Sequence, residues 1–153
     1  MPRGILVPVD FSPESTNALK YASEGARKRG TEVTLLHVVE PIHYVHDFGY
    51  GPVRRQRTND FALKKARARL RALGRRHIAT AHPWTAMVRS GTTCKQIAKA
   101  ALELKVEMIV MPTRGLMPAD QGPSGSMAAR VIRQAPCPVL TLRKPLRTAK
   151  NRK

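Results

Sequence analysis

Cysteine is scarce in this chain of 153 residues: only Cys94 and Cys137 occur. They lie far apart and form neither a C-x-x-C pair nor a metal-ligand spacing with the five histidines, which excludes a disulfide scaffold and a zinc knuckle. No apolar run approaches the roughly 18 residues that a membrane-spanning helix needs. The start carries one early Arg3 and a short apolar run ending at Asp10, unlike a secretory signal, so a reduced, cytoplasmic protein is expected. Neither a G-x-x-x-x-G-K-[ST] loop nor a local Ser-His-Asp context is present. No general base is placed for a nucleotide hydrolase, and turnover, if any, is expected to be incidental.

Acidic residues are also few, 10 against 28 Lys and Arg, giving a formal charge of +18. The excess is local. Residues 54–76 hold ten Arg or Lys against Asp60 alone, and the tail 143–153 holds six with no acid. Two basic segments therefore ride on an ordinary domain, which length alone allows to be a single one. The expected division is a domain over 1–143 and a basic tail over 144–153.

Five apolar runs alternate with helical patterns, which predicts crossover units and a parallel sheet. The first strand is Gly4 to Val9, followed by Asp10, the N-cap Ser12 and Pro13 at the first helical position. Leu19, Ala22 and Ala26 mark the buried stripe of the first helix, and Gly30 ends it. The second strand spans Glu32 to Val39. Ile42 to about Thr58 has no clean period and is expected to be a long surface loop. A second helix is expected from about Asn59 to Leu73, ended by Gly74, with Leu63, Ala66, Leu70 and Leu73 inward and Lys64, Arg67, Arg71 and Arg75 on another stripe. Trp84 to Val88 is the third strand. Thr93 to Gln96 has capping-box spacing and opens a helix carrying Ile97, Ala101 and Leu104. Met108 to Met111 forms the fourth strand, Ser126 opens a last helix with Ala128, Val131, Ile132 and Ala135 on one face, and Pro138 to Leu142 forms the fifth strand.

Between the fourth strand and the last helix lie Pro112-Thr113-Arg114-Gly115, nine further residues, and Gly125-Ser126. Glycines there let backbone N–H groups approach an anion, and the helix that opens at Ser126 points its positive end the same way, so phosphate is the natural guest. Asp10 and Val38 end two other strands, where ligands of open α/β sheets settle.

The chain resembles the universal stress protein family. The resemblance rests on Ile5-Leu6-Val7-Pro8-Val9-Asp10-Phe11-Ser12, Leu35-Leu36-His37-Val38-Val39, Gly91, Ile109 to Gly115, Gly125-Ser126 and Ala135 to Leu140. It implies a five-stranded parallel sheet in the order 3-2-1-4-5 with helices on both faces, a Rossmann-like fold of the adenine nucleotide alpha hydrolase type. It also implies a homodimer and, in one branch, a site for ATP or a related adenine nucleotide, with or without Mg. That branch has the pattern G-2x-G-9x-G-[ST]. Gly115, Gly125 and Ser126 match it, whereas Pro112 stands where the first glycine would be and brings no N–H donor. The residues that the resemblance assigns to the nucleotide are Pro8, Val9, Asp10, Val38, Met111, Pro112, Arg114, Gly115, Gly125, Ser126 and Met127.

Some of these have a plainer alternative. Asp10 is read first as a hydrogen-bond acceptor for the ligand, with capping of the first turn as the lesser reading, while Arg114 fits a phosphate contact and a solvated loop residue alike. His37 fits a satisfied strand side chain better than a catalytic one. His43, His46 and Asp47 have metal-like spacing only if helical, and Cys137 between two prolines fits packing better than reactivity. The leading expectation is a nucleotide-binding regulatory dimer of the stress response, paired through Pro138 to Leu142. The contrasting one is a scaffold without a working nucleotide site that acts on nucleic acid or an acidic protein through Lys64, Arg67, Arg71, Arg75 and the tail. No membrane partner is expected.

Overall fold

The computed structural model describes residues 3–47, 52–57, 60–113 and 126–143. Its sheet has five parallel strands: β1 (Ile5–Pro8), β2 (Val33–Val39), β5 (Trp84–Ser90), β6 (Met108–Pro112) and β7 (Val139–Leu142). Their spatial order is β5-β2-β1-β6-β7, which is 3-2-1-4-5 when the strands of this sheet alone are counted. Four helices connect them: α1 (Pro13–Arg29), α2 (Asp60–His77), α3 (Thr93–Leu104) and α4 (Met127–Gln134).

Side chains alternate across a strand, so a strand covered on both faces must be apolar at every position. β1 meets this condition, being buried throughout. Ile5, Val7 and Val9 pack on one face with Ala18, Leu19, Ala22 and Leu70 from α1 and α2. Leu6 points the other way, into a second core with Cys94, Ile97 and Ala101 of α3, Met127 and Val131 of α4, and Ile109 and Met111. The helices start and stop as local chemistry dictates. Ser12 Oγ accepts from the Ser15 N–H at 3.2 Å, Pro13 needs no donor there, and Gly30 closes α1 in the left-handed region at φ 67°.

Several expectations are corrected. Ile42 to Thr58 is not simply a loop: β3 (Ile42–Asp47) and β4 (Pro52–Arg57) pair antiparallel, Ile42 opposite Arg57 and Asp47 opposite Pro52. The β-branched and aromatic Ile42, Tyr44, Val45 and Val53 favour extended chain, and proline is tolerated at the first position of a strand. The His43, His46 and Asp47 spacing thus falls in a strand, where helical geometry does not apply. Among the described residues, no group of three His, Cys, Asp or Glu gathers to hold a metal ion.

Gly74 does not end α2. The helix runs one further turn, with the Ile78 N–H on the Gly74 carbonyl at 2.8 Å. Gly74 instead makes room for Trp84, since a Cβ there would lie 2.4 Å from the indole Cζ3. The gap between helix and strand is thereby filled by one large side chain against none. Strand β5 extends to Ser90, in register with β2 from Val33 to Val39. Ile132 and Leu104, expected on buried stripes, are 53% and 37% exposed, each lying in the last turn of its helix. The capping box at Thr93 is displaced too: Thr92 is the N-cap, and Thr93 is the first helical residue.

Candidate nucleotide site at the carboxyl edge

From β1 the chain passes to β2 and β5 on one side, then crosses to β6 and β7 on the other, so the switch point of the fold lies between β1 and β6. There the sheet divides. β1 and β2 stay in register up to Pro8 opposite Leu36, and β6 and β7 up to Pro112 opposite Leu142. β1 and β6 pair only through Ile5–Met108 and Leu6–Ile109.

Two prolines account for the division. The Ile5 and Val9 N–H groups bond the Glu32 and Leu36 carbonyls on the β2 side. By alternation, the backbone of Leu6 and Pro8 faces β6. The Ile109 and Thr113 N–H groups bond the Pro138 and Leu142 carbonyls on the β7 side, so Val110 and Pro112 face β1. Pro8 and Pro112 therefore turn their missing donors toward one another, and the ladder cannot continue between them. The two strands part at the switch point, and it is outside the carboxyl ends of the strands at such a point that ligands of open α/β sheets bind.

Asp10 and Phe11 sit just beyond β1. Asp10 Oδ1 accepts from the Ser12 N–H at 2.9 Å, so the capping role is real. Phe11 adopts φ 66°, a left-handed conformation that costs a residue with a Cβ about 1 kcal/mol or more. Stacking offsets part of this. Its ring lies 4.7 Å from the His37 ring, and the Arg69 guanidinium from α2 sits 4.2 Å above it. His37 Nδ1 lies 2.6 Å from the Val9 carbonyl; as a carbonyl only accepts, His37 carries its proton on that nitrogen. His37 is thus a satisfied strand side chain that ties the ends of β1 and β2 together.

The helix ends at this edge differ. Glu40, just past β2, accepts from the Thr93 N–H at 3.1 Å and the Thr93 hydroxyl at 2.8 Å, so a carboxylate from another element caps α3. At α4, Ser126 Oγ accepts from the Ala129 N–H at 3.2 Å and no acid occupies the first turn. A right-handed crossover from β6 places this N-terminus at the carboxyl edge.

Among the expected site residues, the side chains of Pro8, Val9, Met111, Pro112 and Met127 are buried, so a ligand would meet their backbone. Asp10 and Val38 are half-buried and Ser126 is exposed. Arg114, Gly115 and Gly125 lie outside the described residues. Lys64, Arg67, Arg71 and Arg75 are exposed on α2. Cys137 is partly buried and its thiol is pushed up by desolvation, away from reactivity. A separate groove of about 420 Å³ between α1 and β6–β7, lined by Ile5, Tyr21, Ala22, Gly25, Met108 and Leu140, lies toward the amino end of the sheet.

Residues 1–143 match the universal stress protein family. The chain belongs to that family. It is 30% identical over 141 residues to a universal stress protein of Thermus aquaticus, covering 91% of this chain and 97% of the relative. A universal stress protein of Archaeoglobus fulgidus, solved in complex with dAMP, superposes with a TM-score of 0.65 at 24% identity, covering 90% of this chain and 95% of that one. Another universal stress protein, solved in complex with cAMP, gives a TM-score of 0.67 at 19% identity, covering 92% and 95%. At these identities the structural likeness bears on the fold. Among the described residues no helix is long and apolar enough to cross a membrane.

Phe11, Arg69 and Glu40 were not singled out in the sequence as site residues. Phe11 follows Asp10 directly, but its left-handed backbone is invisible without coordinates. Glu40 caps a helix 53 residues away, which no local motif encodes.

Proposed function

We propose that this universal stress protein binds ATP or a related adenine nucleotide in the crevice between β1 and β6 and acts as a regulatory dimer in the stress response. The observation that carries the reading is the divided sheet at the switch point, with an N-terminus at α4 that no described carboxylate occupies. The base would lie beside Asp10 and the Val38 backbone, and the phosphates against the backbone N–H groups of Ser126 and Met127, joined by Arg114, Gly115 and Gly125 from the motif. Helix N-termini favour such anions through unsatisfied donors and the peptide dipoles. The relatives solved with dAMP and cAMP support an adenine ligand. Occupancy, with or without Mg, changes the surface that a partner meets, and chemical turnover is not required. Calorimetry with ATP tests the site, with loss of binding expected for Gly125→Val, whose branched side chain blocks the backbone approach.

Dimerisation is proposed through β7, the edge of the sheet. The Ile109 and Thr113 N–H groups donate to the Pro138 and Leu142 carbonyls, so alternation turns Val139 and Thr141 outward. Antiparallel pairing with a second copy would satisfy those outward groups and cover the half-buried strand. Val139→Pro with Thr141→Pro removes two outward donors and leaves the β6 ladder in place. Sedimentation at tens of micromolar should show a dimer for the wild type and a monomer for the variant; a dimer that survives both prolines contradicts this interface.

A further inference from the structure

We propose that the solvent face of α2 docks the phosphodiester backbone of nucleic acid without regard to sequence. Lys64, Arg67, Arg71 and Arg75 recur at three- and four-residue intervals and share one stripe, and all four are exposed. Lys65 and Arg76 flank it, also exposed. Elsewhere several cations are paired: Lys28 with Glu24, Arg29 with Glu107, and Arg89 and Lys99 with Glu103. No ion pair among the described residues involves an α2 cation. The helix contains one acid, Asp60, in its first turn. At the far end, the exposed Lys20 of α1 and Arg76 act on His77, whose pKa is lowered by desolvation first and by these two cations next.

The kind of partner follows from what the face has and lacks. An interfacial membrane helix must bury an apolar side in lipid, but Ala66, Leu70 and Gly74 are already buried in the protein. Along the row from Lys64 to Arg76 no aromatic residue alternates with the cations; the exposed aromatic of the helix, Phe61, stands one turn before the row and gives at most a single stacking surface. Three of the four row residues are arginine, whose planar fork matches phosphate oxygens. The row from Lys64 to Arg75 spans about 16 Å along the helix axis. A duplex strand presents about five phosphates over such a length, at roughly 3.4 Å each. A rigid row of this kind reads charge, not bases.

The test is fluorescence anisotropy with the full-length chain and a 20-base-pair duplex, in two unrelated sequences, against Lys64→Glu with Arg67→Glu, Arg71→Glu and Arg75→Glu. The basic tail is present in both proteins, so their difference reports α2 alone. Wild type should bind both duplexes equally, and the log–log salt slope should fall by about 3.6 in the variant, roughly 0.9 per lost phosphate contact. Affinity at low salt should drop by about 100-fold or more. The corresponding quadruple glutamine variant, with an unchanged melting curve, should lose most of the same slope and guards against misfolding of the glutamate variant. Equal slopes for wild type and both variants overturn the proposal. So does preferential binding to anionic lipid vesicles, which assigns the face to a membrane, or to polyglutamate, which assigns it to an acidic protein.

Discussion

The N-termini of α3 and α4 pose the same physical problem at the same edge of the sheet and solve it differently. Each helix begins with backbone N–H groups that have no partner inside the helix and with the positive end of its peptide dipoles. At α3 the Thr92 side chain makes no capping bond, and Glu40 takes over with two hydrogen bonds to Thr93. At α4 a neutral hydroxyl, Ser126, caps a single donor. The fold thus supplies one helix with a fixed anion and leaves the other without a described one. This difference separates structure from function: a covalently attached carboxylate cannot be exchanged, whereas an end with a neutral cap is suited to a mobile phosphate.

The comparison breaks most visibly if Glu40 is dispensable. Glu40→Ala leaves the Thr93 N–H and hydroxyl without acceptors, and Thr93 is buried, so a loss of about 2 kcal/mol is expected in urea unfolding. Glu40→Gln keeps an acceptor oxygen and should lose only about half as much. A next, smaller effect is expected at the other helix. Ser126→Ala removes the cap on Ala129 at a solvent-exposed position and should cost about 1 kcal/mol in the same assay. Saturating ATP should raise the melting temperature of wild type and raise that of Ser126→Ala less. Sulfate sharpens the contrast, since Glu40→Ala should gain more stability from it than wild type does, the vacated α3 end now accepting an external anion.

The smallest effect concerns pH and guards the interpretation of the others. His77 has a depressed pKa in the folded chain, so its neutral form is favoured there. Above the unfolded value of about 6.5 it costs nothing; as pH falls from there through the lower folded value, protonation favours unfolding and stability is lost. The group is half-buried but the two cations acting on it, Lys20 and Arg76, are exposed, so solvent screening keeps the effect small. NMR titration of the imidazole should place its midpoint below that of a free histidine, and His77→Gln should reduce the loss of stability between pH 7 and pH 5. Glu103 adds to acid sensitivity in the same sense, because its hydrogen bond to Arg89 lowers its pKa and that contact is lost on protonation.

Much of this architecture was legible because strand and helix periods are local. β1 and β6 show as unbroken apolar runs and β2 as one interrupted by Thr34 and His37, and Ser12, Pro13 and Gly30 carry their own punctuation. The failures share a cause, since in each a distant residue decides the outcome. Gly74 looks like a helix stop until Trp84 is seen to need its missing Cβ. Thr93 looks like a cap until Glu40 is seen to provide one. Asp10, Val38 and Ser126 were expected at the carboxyl edge; Asp10 lies just beyond β1, Val38 near the end of β2 and Ser126 at the N-terminus of α4. Pro112 was expected only to remove a donor. Its orientation toward Pro8 across the divided sheet depends on hydrogen-bond alternation in two strands, which the sequence alone does not give.

Isothermal titration of ATP into wild type, Gly125→Val and Pro112→Gly tests the nucleotide reading most directly. Wild type should bind and Gly125→Val should not. Pro112→Gly restores a donor facing the gap and should tighten binding by roughly 1.5–3 kcal/mol if that N–H reaches the ligand, less the cost of added backbone freedom. Absence of heat from wild type, Gly125→Val and Pro112→Gly at millimolar ATP would contradict the account and leave the crevice without its nucleotide.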